Sequence, residues 1–208
     1  MLIPISILAV FFSASILLTL APGPDNIFVL TQSAIRGKLA GWVITLGLCT
    51  GLIGHTLLVS SGVAVIFKAS PLAFTSLKLA GGAYLLYLSF LAFRASVTKL
   101  SPPDNGGASL CQLYRCGIIM NITNPKVSIF FLSFLPQFAD PKRGPLMLQI
   151  VTLGFVFMIS GLLVFGMISL FASYLGGCLQ SPKALNIMNR ITGMVYVALA
   201  IKLVSAEM

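Results

Sequence analysis

A chain of 208 residues that is 58% hydrophobic and 8% charged, with a mean hydropathy of +1.03, lacks the polar surface a soluble domain of this size needs. Thirteen Lys and Arg against four Asp and Glu give a net charge of +9. The basic residues lie mostly between apolar runs, where they act as topology signals and contacts to lipid headgroups rather than as a nucleic-acid surface.

The pattern predicts an all-α polytopic membrane protein with six spans, each long enough for a hydrocarbon core of about 30 Å at about 1.5 Å per residue. The first 20 residues carry no basic n-region, and no small-residue cleavage site precedes the Pro22-Gly23-Pro24 break, so they read as a retained span rather than a signal peptide. That span, 4–33, is interrupted by Pro22-Gly23-Pro24-Asp25-Asn26. Proline has no N–H, so the carbonyls of Leu18 and Leu20 lose their partners four residues on. In hydrocarbon such backbone is tolerated only against protein or a wet cavity. Gly23 suits an N-cap, and Pro24 suits the first position of a restarted helix.

The second span, 40–67, carries Gly47-x-x-x-Gly51-x-x-Gly54 followed by His55. Small residues at that spacing let a second helix backbone come close, within the chain or in a homodimer. A third span, 72–93, leads to Ser101-Pro102-Pro103-Asp104-Asn105-Gly106-Gly107, a polar, breaker-rich linker. The single transmembrane domain, 1–208, thus divides into a first repeat at about 1–100, a linker at about 101–110 and a second repeat at about 111–208. The fourth span, 113–138, is broken at Asn124-Pro125-Lys126, which orphans the carbonyl of Asn121 and offers a better cap than Gly23. Spans five and six are expected at 146–173 and 186–205.

Aligning Pro24 with Pro125 sets Asp25 against Lys126, and Lys78-x-x-Gly81-x-x-Tyr84 recurs as Arg190-x-x-Gly193-x-x-Tyr196. With three helices per half, related halves enter the membrane from opposite sides, an inverted repeat whose broken helices meet near the midplane. A pair of interrupted spans at corresponding positions points to a transporter's binding site. Loops after spans one, three and five hold Arg36, Lys38, Arg94, Lys99, Arg115, Lys183 and Arg190, against Lys68, Lys78, Lys142, Arg143 and Lys202 on the other side, which places both termini outside.

Away from the span ends, Asp25, His55 and Lys126 are the ionisable residues at membrane depth. A charge at the centre of a span costs roughly 2.5 to 3.5 kcal/mol on insertion scales, which makes such residues functional candidates. Asp25 and Lys126 can neutralise each other across the two-fold relation. The local chemistry suits a zwitterion: the restarted helices present free N–H groups to a carboxylate, and Asp25 with the carbonyls of Leu18, Leu20 and Asn121 can hold an ammonium. Asn26 and Asn121 join this set. The same ion pair and caps would also serve merely to hold bent helices together. Histidine titrates near neutral pH in water, so His55 is either a proton-coupling group or a neutral ring bonded to a carbonyl.

No acidic pair and no metal-ligand spacing supports an enzyme, a metal site or a cofactor. Cys49, Cys111, Cys116 and Cys178 are scattered and read as small buried hydrophobes.

Taken in order, Ala21-Pro22-Gly23-Pro24-Asp25-Asn26 with Arg36-Gly37-Lys38-Leu39-Ala40-Gly41, Gly54-His55-Thr56-Leu57-Leu58, Ser70-Pro71-Leu72-Ala73-Phe74 with the Leu77–Leu88 run, and Asn121–Lys126 with Phe130–Phe138 resemble the LysE/RhtB superfamily of bacterial amino-acid exporters, in the style of its homoserine/threonine exporter branch. The resemblance spans essentially the whole chain, with spans five and six matching only in character. It implies a multi-pass carrier of the bacterial inner membrane that exports amino acids or derivatives by antiport with protons. It carries Pro22, Gly23, Pro24, Asp25, Asn124, Pro125 and Lys126 into the binding site, and His55 less directly. With so few intramembrane acids, a second positive charge on the substrate has no partner, so the substrate is expected to be neutral. A channel, or a carrier for another small solute or a cation, is the competing reading. One Asp and one His with a Lys nearby make a poor cation site.

Overall fold

The computed structural model describes residues 2–69, 71–94, 107–179 and 182–205, with side chains described throughout except at 63–69, 71, 73, 74, 77, 173–179, 182–185 and 188. The predicted linker residues 101–106 and Lys99 lie outside this set, as do the side chains of Lys68, Cys178 and Lys183.

The elements among the described residues are helices, the α-helices running in the order α1 Ile5–Leu20, α2 Pro24–Arg36, α3 Lys38–Ala69, α4 Pro71–Arg94, α5 Leu110–Thr123, α6 Pro125–Ile129, α7 Leu146–Leu179 and α8 Pro182–Ser205. Among them, Lys38–Gly62 and Leu146–Ala172 are long and apolar enough to cross a membrane, and the bent pairs α1/α2 and α5/α6 raise that number to four. The other two expected spans correspond to α4 and α8, 24 residues each, or about 36 Å.

Both predicted breaks occur where the prolines remove N–H donors. The axis turns by 64° between α1 and α2 and by 50° between α5 and the segment Pro125–Phe138. Gly23, in extended backbone at φ −160°, is the N-cap of α2 with Pro24 at its first turn. Asn124 caps α6 by accepting the Lys126 backbone N–H. Beyond α6 the fourth span leaves α geometry. Phe130–Phe134 forms a π turn and Leu135–Phe138 a 3-10 turn. Ser and Thr within the spans turn their hydroxyls back onto the carbonyl four residues earlier, as Ser15, Thr19, Thr45, Thr56 and Ser169 do, so these polar groups cost little at depth.

α3 packs antiparallel to α7, and α4 antiparallel to α8. In the α3/α7 pair, Gly41 lies against Ser169 and Thr56 against Gly154. In the α4/α8 pair, Gly81 lies against Leu203, and a Cβ on Gly193 would sit 2.7 Å from the Phe93 ring. Each broken span also lies along the second helix of the opposite half, α5 on α3, and α1 with α2 on α7. The glycine stripe of α3 serves the first of these contacts. A Cβ on Gly47 would strike the Tyr114 carbonyl, and one on Gly51 would lie 2.7 Å from Asn121. Gly54 faces open space, so Gly47 and Gly51 are taken up within the chain.

Two ends of the molecule follow from loop contacts. At one, Arg36 donates through Nη1 to the Ala108 carbonyl (2.7 Å). At the other, Leu2 approaches Gly144, and Gln149 stitches the Asp140 and Gly144 turns. Phe11, Phe130, Phe131, Phe134, Phe138 and Phe157 pack together between the breaks and the Leu2 end, with centroid separations from 4.8 to 6.3 Å.

The cysteine expectation needs one correction. Cys49 is buried and Cys116 half-buried, but Cys111 is exposed, because the first turn of α5 begins at the protein surface where the Ser109 capping box starts the helix.

Candidate functional site

The two breaks meet. Asp25, in the first turn of α2, accepts a hydrogen bond at Oδ2 from Asn124 Nδ2 (2.8 Å), while Asn124 Oδ1 accepts the Lys126 backbone N–H (3.0 Å). One amide side chain thereby caps α6 and ties it to the other half of the chain. Lys126 returns the link. Its Nζ donates to the carbonyls of Ala21 (3.0 Å) and Leu18 (3.3 Å), at the C-terminal end of α1. The Leu18 carbonyl is one of those orphaned by proline. Ala21, rather than Leu20, supplies the second acceptor, because the chain turns there and its carbonyl faces α6.

Asp25 and Lys126 are both buried but make no direct ion pair. Neighbours add to their mutual attraction: the ammonium sits on the carbonyl end of α1, where the helix dipole is negative, and the carboxylate lies in the first turn of α2, where it is positive. Asp25 Oδ1 has no partner. Gly23 leaves room for the ammonium, since a Cβ there would stand 3.1 Å from Lys126 Nζ.

The remaining predicted residues divide by role. Asn26 donates to the Thr19 carbonyl (2.7 Å) across the first break and braces it. His55 donates from Nε2 to the Asn121 carbonyl (3.2 Å), the carbonyl that Pro125 leaves without an α-helical donor, and its ring lies 5.6 Å from that of Phe131. Of the two readings of His55, the carbonyl-bonded ring is thus present in the structure. Asn121 Oδ1 is buried without a partner beside Gly51.

Two cavities flank the breaks. Toward α3 and α7 lies one of about 20 Å³, touched by Asp25, Asn121, Lys126, Cys49 and Phe157, with room for roughly one water-sized group. Toward α4 and α8 lies one of about 300 Å³, walled by Pro22, Gly23, Pro24, Asn124, Pro125 and Lys126. Its far side is made by Leu88, Leu91 and Ala92 of α4 and by Asn189, Thr192 and Tyr196 of α8. Lys126 borders both. The larger cavity sits in the part of α4 nearest the Arg36 end, opposite the phenylalanine cluster.

Sequence reasoning missed Asn189 and Thr192, and took Tyr196 only as part of a repeat. Their 3- and 4-residue spacing on α8 was the available signal, since it puts all three on one face. Single polar residues of this kind are common in spans, and nothing local tied them to the breaks.

Comparison with known proteins adds the following. Residues 16–207 match the LysE type translocator family. The chain is 30% identical to the homoserine/homoserine lactone efflux protein of Salmonella typhimurium, covering 95% of both chains. It is 27% identical to the leucine efflux protein of Salmonella choleraesuis over 95% of this chain and 94% of the relative. A Vibrio cholerae protein named only as an uncharacterized membrane protein is 29% identical over 95% and 96% of the two chains. No solved structure is a significant match.

Proposed function

Because the chain belongs to the LysE type translocator family, we propose that it is a secondary transporter that exports neutral amino acids or their derivatives by proton antiport. It is a multi-pass protein of the bacterial inner membrane. The observation that carries the proposal is the meeting of the two breaks: Asn124 on Asp25, and Lys126 on the Leu18 and Ala21 carbonyls, beside a cavity of about 300 Å³. Discontinuous helices that present N–H groups, carbonyls and one charge of each sign are what a zwitterion needs.

Substrate lodges in the larger cavity. Its carboxylate takes the Lys126 ammonium, and its own ammonium replaces Lys126 on the carbonyl end of α1. The inverted halves, about 1–100 and about 111–208, rock about this centre. Their antiparallel pairing supports that motion, because α3/α7 and α4/α8 slide as matched pairs. With the Arg36 end facing the cytoplasm, as the charge distribution favours, the cavity lies on the loading side and the phenylalanine cluster closes the other.

Asp25 is the proton-exchanging residue of this scheme. One of its oxygens is unpartnered and the residue borders the small cavity, whereas His55 already serves a backbone carbonyl. The homoserine/homoserine lactone and leucine named for the relatives support a substrate that is small, uncharged at the side chain and carries an amino group.

The test is counterflow in proteoliposomes. Vesicles loaded with unlabelled homoserine, threonine or leucine should take up the labelled compound faster than empty ones, and an imposed pH gradient should drive accumulation. Asp25→Asn should keep membrane insertion and lose gradient-driven accumulation. No counterflow with any neutral amino acid, from folded protein, would overturn the carrier reading; full gradient-driven transport by Asp25→Asn would remove Asp25 from coupling.

A further inference from the structure

We propose that a polar seam between α2, α3 and α7 carries protons between Asp25 and the Arg36 end of the protein, with Gln32 and Ser33 positioning its water and Phe165 closing it. The inference rests on the proton-antiport reading above and goes beyond it, by giving the proton a route on the α3/α7 side of the breaks while substrate uses the α4/α8 side.

The starting observation is a set of buried polar atoms without partners. Among the described residues there are six, and four of them lie on α2: Asp25 Oδ1, Asn26 Oδ1, Gln32 Oε1 and Ser33 Oγ. Gln32 is 1% exposed and Ser33 4%, so neither bulk water nor lipid headgroups satisfy them. A buried acceptor without a donor is costly, and bound water commonly supplies the missing one. Four on one helix of 13 residues mark a line of hydration rather than a single defect.

Helix register places that line. α3 runs antiparallel to α7, with Gly41 against Ser169 and Thr56 against Gly154, which sets Thr45 beside Phe165 and Cys49 beside Gly161. α2 also runs antiparallel to α3, since Ser33 Oγ stands against Gly41 while Asp25 shares the small cavity with Cys49. Three levels result. Toward the Arg36 end, Ser33, Gly41 and Ser169 meet, and a Cβ on Gly41 would strike both hydroxyls. At the inner end, Asp25, Cys49 and Gly161 border the small cavity. Val29, Thr45 and Phe165 lie between, one helical turn from each. Asp25 and Ser33 are eight residues apart, or about 12 Å along α2.

The chemistry of this side suits a proton and not an amino acid. The inner cavity, about 20 Å³, has room for roughly one water. The hydroxyls of Thr45 and Ser169 donate to the Gly41 and Phe165 carbonyls, which leaves their oxygens as acceptors. Ser33 Oγ is committed in neither direction, so it can accept from one water and donate to the next. Phe165 borders the cavity and packs with Phe28, Val29, Ala40 and Ile44, so its ring stands between Asp25 and the Ser33 level. The titratable groups that share the cavity with Asp25 are Lys126 of α6 and Cys49 of α3, and α7 brings only Phe157, Gly161 and Phe165. On the other side of the breaks, Tyr196 of α8 faces the larger cavity.

The experiment uses full-length protein in proteoliposomes and labelled homoserine, threonine or leucine, with two readouts per preparation. Counterflow exchanges substrate for substrate and needs no proton step; accumulation under an imposed pH gradient does. Gln32→Leu and Ser33→Ala should each slow gradient-driven accumulation about tenfold, the factor one hydrogen bond supplies, with counterflow within about twofold of wild type. Phe165→Ala should act in the opposite sense, so that a pH gradient followed by a trapped dye decays severalfold faster without substrate. Adding Ser33→Ala should cancel that gain, which it would not do for a general leak through a damaged fold. Accumulation unchanged in Gln32→Leu and Ser33→Ala would overturn the seam and leave the carrier standing. Accumulation and counterflow lowered together would overturn it too, by showing both residues to be structural. Wild-type counterflow without gradient-driven accumulation would overturn proton antiport and the seam with it.

Discussion

Lys126→Met separates a functional lysine from a structural one. Methionine keeps most of the volume and removes the charge. It breaks the bonds to the Leu18 and Ala21 carbonyls, 3.3 and 3.0 Å in the structure. Interhelical hydrogen bonds in lipid contribute about 0.6 kcal/mol each on average and up to about 1.7, so the pair contributes roughly 1 to 3.5 kcal/mol. Against this stands the cost of holding an ammonium at depth, about 2.5 to 3.5 kcal/mol. The two nearly cancel, and the variant should lie within about 2 kcal/mol of wild type, or roughly 8 °C in Tm. Transport should behave differently. A charge-assisted bond to the substrate carboxylate supplies about 1.5 to 3 kcal/mol, so kcat/KM should fall roughly 10- to 150-fold. Thermal unfolding in detergent and counterflow on the same preparation give both numbers. A fall in Tm beyond about 10 °C would show that Lys126 chiefly holds the bent helices. Transport at more than half the wild-type rate would remove it from the substrate path.

His55→Phe should keep the stacking against Phe131 and lose the bond to the Asn121 carbonyl, lowering Tm by a few degrees while leaving gradient-driven accumulation within about threefold of wild type. Counterflow retained with accumulation lost would instead place His55 in proton coupling. Gly117→Ala places a Cβ 2.6 Å from the Ile44 carbonyl and 3.1 Å from the Leu48 nitrogen, backbone atoms that cannot turn away. It should cost about 1 to 3 kcal/mol by prising α5 from α3, read as a lower Tm. Gly54→Ala, which meets nothing within 4 Å, should leave Tm unchanged and serves as its control.

Both breaks, their caps and the candidacy of Asp25 and Lys126 could be read from the chain, because the chemistry of proline and of charge in lipid is local. The absence of a direct Asp25–Lys126 pair could not. It depends on the turn at Ala21, which presents a carbonyl to the ammonium, and on Asn124, whose amide reaches Asp25 while its oxygen caps α6. The α8 wall was hidden for a different reason. Asn189 and Thr192 become partners of the breaks only through the antiparallel docking of α8 on α4, a long-range contact with no local signature. The π turn at Phe130–Phe134 was equally invisible, since an apolar run such as Phe130-Phe131-Leu132-Ser133-Phe134 fits either helical geometry.

That turn has a consequence for how the segment tolerates change in length. In an α-helix each residue advances the face by about 100°, so removing one residue from a packed helix rotates everything beyond it out of register. Here the Leu135 N–H reaches back to the Phe130 carbonyl, enclosing one residue more than an α turn does. Deleting Leu132, which is 37% exposed while Phe130, Phe131, Ser133 and Phe134 are buried, lets the loop tighten from five to four without rephasing either flank. The fourth span thus carries a slack residue, and a one-residue deletion is absorbed there at lower cost than in the α-helical turns on either side.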